Sequence, residues 1–96
     1  MADHRPPEFT ACTVGPLRFC GRILAQAERD QGGDILRYVL YETSDGDFVG
    51  EATQVGRFTE HRQWEMQEQA FLWFGDAVLK AELQRQLAEA KPESAQ

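Results

Sequence analysis

The chain has 96 residues and a formal net charge of −6, with 42% apolar and 27% charged residues. That length fits one domain, large enough to bury about 60–70% of its unfolded surface without metal or disulfide staples, and the mixture is ordinary for a soluble globular protein. Ten scattered Lys and Arg against sixteen Asp and Glu argue against gripping a nucleic-acid backbone, which needs clustered cations.

Residues 1–8, "MADHRPPE", read as a disordered tail, because Pro6-Pro7 prevents regular structure. They carry no apolar segment of the secretory kind, and the longest apolar run, residues 70–74, is far too short to span a bilayer. A cytoplasmic protein that does not engage membranes is the expectation. A single domain over 9–91 and a second disordered tail over 92–96, opened by the helix-stopping Pro92, complete the layout.

"FTACTV" (9–14) is a short β-branched strand, ended by a Gly15-Pro16 turn. In "LRFCGRILAQAER", Leu17, Phe19, Gly21, Ile23, Ala25 and Ala27 alternate with mainly polar residues, the period of a half-buried strand. Leu24 breaks that alternation on the polar side. A tight turn at 15–17 would set Cys12 opposite Cys20, so a disulfide is sterically open. Free thiols fit a cytoplasmic chain better. "RDQGGD" (29–34) reads as a loop.

"LRYVLYETSDGDFVGEA" (36–52) reads as a β-hairpin, Asp45-Gly46 being a strong turn signal. With those two residues as the loop, Thr43 faces Phe48, Tyr41 faces Gly50 and Val39 faces Ala52, and Tyr41 covers the bare backbone of Gly50. A longer loop would shift this register. The segment "EHRQWEMQEQAFLWF" (60–74) supports two readings. Thr59 could cap a helix rich in Gln, Glu, Met and Ala. Equally, Trp64, Met66, Ala70, Leu72 and Phe74 fall on alternate positions, as in a strand. Beyond it, Asp76 is a good N-cap, and Val78, Leu79, Leu83, Leu87 and Ala90 recur at helical spacing. These elements sum to an α+β domain: an antiparallel meander of three to five strands packed against a C-terminal amphipathic helix.

Residues that could carry chemistry are few. Asp45, Asp47 and Glu51 share only "DGD" with a calcium-binding loop, so an acidic turn explains them better than a metal. His61 has no serine nearby in a nucleophile context, and "DQGGD" lacks the spacing of a phosphate loop. No catalytic residue, metal or cofactor is expected. Two features remain. No Lys or Arg occurs from 42 to 56, so Glu42, Asp45, Asp47 and Glu51 define an acidic end of the molecule. Trp64, Phe71, Trp73 and Phe74 place four of the ten aromatic residues within residues 64–74. They form either core or an exposed surface for self-association or partner binding.

Gly21, Arg22, Ile23, Leu24 and Ala25, followed by Tyr41, Thr43, Gly46, Phe48 and Val49, resemble a strand and hairpin of small bacterial proteins of the EXLDI type. The resemblance spans about a third of the chain, and the motif that names that family is absent. It implies a small accessory protein of mobile genetic elements and supplies no active site. The expected function is therefore non-enzymatic: binding a protein partner with a basic patch through Glu42, Asp45, Asp47, Glu51, Trp64, Phe71 and Trp73. The competing expectation is a ligand pocket between sheet and helix, drawing on Tyr38, Tyr41, His61 and Trp64.

Overall fold

The computed structural model describes residues 9–90, and both proposed tails lie outside them. Five strands, β1 (Thr10–Val14), β2 (Leu17–Gln31), β3 (Asp34–Thr43), β4 (Phe48–Gln54) and β5 (Phe58–Trp64), precede helices α1 (Gln67–Trp73) and α2 (Ala77–Ala90). The strands form one antiparallel sheet in chain order. This is the expected α+β architecture, with one helix more than the periodicity announced.

Segment 60–74 contains both of the structures its sequence suggested. Its first part continues β5 through Trp64, and the chain then turns into α1. Thr59 is a strand residue, not a cap. The helix start is held instead by Gln69, whose Oε1 accepts the Met66 N–H at 3.1 Å, as the third helical residue does in a capping box. Asp76 behaves as expected: its Oδ1 accepts the Leu79 N–H at 3.0 Å and opens α2. Leu79 and Leu83 are buried, whereas Val78, counted in the apolar stripe, points outward and is 58% exposed.

Leu24 marks a β-bulge. Ile23 pairs with Tyr41, but Ala25 pairs with Leu40. The extra residue reverses the alternation of β2. Leu17, Phe19, Gly21 and Ile23 therefore lie on one face, and Ala25 and Ala27 on the other, correcting the expectation of a single apolar face. Leu24 itself packs on the helix side. The expected loop 29–34 also shrinks. β2 runs to Gln31 and β3 starts at Asp34, leaving only Gly32-Gly33 to turn. Beyond β1, the outer edge of β2 has no strand partner among the described residues. There the Gln86 side chain substitutes for one, accepting the Gln26 N–H at 3.0 Å and donating to its carbonyl at 2.8 Å.

The core lies between the sheet and both helices, built from Ala25, Tyr38, Leu40, Ala52, Ala70, Phe74, Leu79 and Leu83. The other face also buries Val14, Val39 and Val49, because the sheet curls. A Cβ placed on Gly15, in the β1–β2 turn, would stand 3.3 Å from Nδ1 of His61 on β5. In a flat sheet those strands would be about 14–19 Å apart. Cys12 and Cys20 fall on opposite faces, since Cys12 pairs with Phe19 and Cys20 with Ala11. Both are free thiols.

Candidate functional site: the two ends of the β3–β4 hairpin

The hairpin loop has three residues, not two. Thr43 donates its N–H to the Asp47 carbonyl (2.8 Å), and the Gly46 N–H reaches the Thr43 carbonyl (3.0 Å). Gly46 takes φ +93°, while Ser44 and Asp45 keep negative φ. This is a type I turn closed by a glycine bulge. The extra residue moves the register by one: Tyr41 pairs with Val49, Leu40 with Gly50 and Tyr38 with Ala52. Tyr41 therefore does not shelter Gly50. Trp64 does: a Cβ on Gly50 would lie 2.7 Å from the Trp64 ring.

The corrected register disperses the four carboxylates. Glu42 lies on the helix-side face, where its Oε1 accepts from Arg22 Nη2 (2.8 Å) and Nε (3.1 Å). Glu51 lies on the opposite face, 3.5 Å from the Tyr41 hydroxyl. Burial, together with that nearby negative charge, pushes the Tyr41 phenol up to about 12. Only Asp45 and Asp47 occupy the tip. Their N–H groups go to the Thr43 hydroxyl at 3.2 and 3.0 Å, so the loop is held without its carboxylates. Asp47 Oδ2 accepts from Gln63 at 3.3 Å, and Asp45 is exposed. Among the described residues, no group of three or more His, Cys, Asp or Glu is placed to hold a metal.

The aromatic residues surround one another. Phe74, 1% exposed, has ring centroids at 4.4 Å (Tyr38, stacked), 5.3 Å (Trp73), 6.3 Å (Phe71) and 6.5 Å (Trp64). Trp64, Phe71 and Trp73 are half-buried, part core and part surface. The fully outward side chain of that segment is Leu72, 87% exposed.

At the opposite end of the hairpin from the acidic tip, the helices leave part of the sheet open. Two cross-strand rows line this opening: Leu36, Gln54 and Phe58, then Tyr38, Ala52 and Glu60. Trp73, Phe74 and Gly75 form the far wall of a cleft of about 250 Å³. The wall is anchored by the Tyr38 hydroxyl, which accepts the N–H groups of Gly75 (3.1 Å) and Asp76 (2.8 Å). Sequence reasoning placed Tyr38 and Trp73 in candidate sites but missed Phe58 and Glu60. Their alternation along β5 was the available signal, and it was obscured by the competing helix reading. Tyr41 and His61 face away from this cleft, and Trp64 covers Gly50 beside it. No family model, curated protein or solved structure matches this chain.

Proposed function

We propose that this chain is a small acidic, non-enzymatic protein that binds a basic patch on another macromolecule through the acidic end of its β3–β4 hairpin, with the half-buried aromatic surface adding contact area. The observation that carries this reading is the construction of the tip. Thr43 accepts the Asp45, Gly46 and Asp47 N–H groups and the Cys20 carbonyl accepts that of Ser44, leaving the Asp45 carboxylate to solvent, in a segment without Lys or Arg from 42 to 56. A rigid loop presenting unconsumed negative charge steers and orients a cationic partner. An inhibitor or regulator of a nucleic-acid-binding protein would present such a surface, and an accessory role in a mobile element is compatible with it. The small-ligand alternative rests on the cleft, whose roughly 250 Å³ falls below the range of about 300–1,000 Å³ usual for small-molecule sites.

Binding of a hexa-arginine peptide to the full chain tests the reading. Salt-sensitive binding that weakens several-fold when Asp45, Asp47 and Glu51 are replaced by Ser is the expected result. Unchanged affinity of that variant would remove the acidic end as the site. A clear thermal shift with a metabolite or metal from a screening panel would overturn the interaction-only reading. Retention on heparin or DNA at physiological salt would do the same in favour of nucleic acid.

A further inference from the structure

We propose that the cleft at the far end of the β3–β4 hairpin seats a single arginine side chain of the partner protein, an inference that rests on the interaction reading above. The cleft combines three properties that together select this group. Its walls are aromatic: Phe58 is 43% exposed and Trp73 half-buried, so each offers ring surface to an incoming plane. Its rim carries one carboxylate, Glu60, which has no ion-pair partner among the described residues. Arg62, the next residue on that face of β5, does not line the cleft. Its depth comes from Ala52, a small side chain between Tyr38 and Glu60.

An apolar occupant would cover the Glu60 carboxylate without pairing it, which is unfavourable. An anion would meet that carboxylate on a chain of net charge −6. A guanidinium avoids both problems. Its plane stacks on aromatic faces, its forked donors match a carboxylate, and its aliphatic stem tolerates an apolar floor. Lysine supplies the charge but not the stacking plane or the fork. The volume of about 250 Å³ suits one side chain.

The test is an amide and indole NMR titration of the full chain with N-acetyl-arginine amide, alongside the lysine and norleucine analogues. Expected are saturable shifts of the Trp73 indole N–H and the Glu60 amide with the arginine compound. Binding should weaken about two- to fivefold in Glu60→Gln, the scale of one exposed charge pair, with the spectrum confirming the variant's fold. Phe58→Ala should weaken it as well. Absence of saturable shifts at Trp73, equal binding of either analogue, or unchanged affinity of Glu60→Gln would each overturn the proposal. The two readings fail separately. Hexa-arginine binding that depends on Asp45 and Asp47 but ignores Glu60→Gln sinks the cleft and keeps the tip. Arginine binding in the cleft with peptide affinity indifferent to the tip carboxylates sinks the tip and keeps the cleft.

Discussion

At one end of the β3–β4 hairpin, Thr43 and Gly46 hold the loop mainly through contacts within four residues along the chain, with one longer bond from the Ser44 N–H to the Cys20 carbonyl (2.8 Å) tying it to β2. At the other end, about 20 Å away along the strands, the cleft needs β3, β4, β5 and the segment joining α1 to α2. The tip concentrates negative charge but has no walls, so water screens whatever docks there. The cleft has only one carboxylate, on the exposed Glu60, but shares its lining with aromatic rings whose faces attract a cation. Density of charge and quality of a binding site are thus separate properties in this molecule. The difference also has an energetic side: the tip is secured mostly by local backbone geometry and one bond to β2, the cleft by long-range packing.

Removing the keystone of the packed end should have the largest effect. Phe74 is 1% exposed and touches the Tyr38, Trp64, Phe71 and Trp73 rings. Phe74→Ala is expected to lose about 3–5 kcal/mol in urea unfolding. A loss below about 1 kcal/mol would mean that the wall of the cleft does not depend on this ring. Gly50→Ala comes next. Its Cβ would lie 2.7 Å from the Trp64 ring and 3.2 Å from Phe74 Cζ, so half-buried Trp64 must swing outward. A loss of about 1–3 kcal/mol is expected, together with altered tryptophan fluorescence.

At the tip, Gly46→Ala places a side chain at φ +93°, a conformation that costs an L-residue about 1–2 kcal/mol. Nothing lies within 4 Å of the new Cβ, so the effect is purely one of backbone. Combined with Phe74→Ala, it should add to within about 0.3–0.5 kcal/mol if the two ends are independent. A larger coupling would break the contrast between them.

The same contrast governs what could be read from the sequence. Asp45-Gly46, Gly32-Gly33, Gly15-Pro16 and the Asp76 cap are local signals, and each marks a real boundary. Even so, Asp-Gly suits loops of two or three residues, and that ambiguity shifted the register and misassigned the cover of Gly50 to Tyr41. The break at Leu24 was visible as an interruption, but only pairing with β3 shows that it flips the faces of β2. Residues 60–74 satisfied two periodicities because two elements share the window. The cleft required the β4–β5 register, Ala52 with Glu60 and Gln54 with Phe58. No composition or spacing within one segment specifies a pairing between two.

The smallest expected effect is one of pH, and it belongs to the tip half of the hairpin on the face away from the helices. Tyr41 is half-buried beside Glu51, with its phenol pushed up from about 10 to about 12 by burial and then by that carboxylate. The folded chain therefore holds the phenolic proton more tightly than the unfolded chain does. Its contribution to stability is fully present below pH 10 and is lost as pH rises from about 10 toward 12, because only the unfolded state ionises in that window. Tyr41→Phe should flatten this part of the stability profile. Glu51→Gln should move the phenolate absorbance of Tyr41 to lower pH, by less than full exposure would, because burial is the larger cause. If the Tyr41 signal instead rises near pH 10 in the folded protein, the curl of the sheet leaves this face more open to water than the packing of Val39 and Val49 implies.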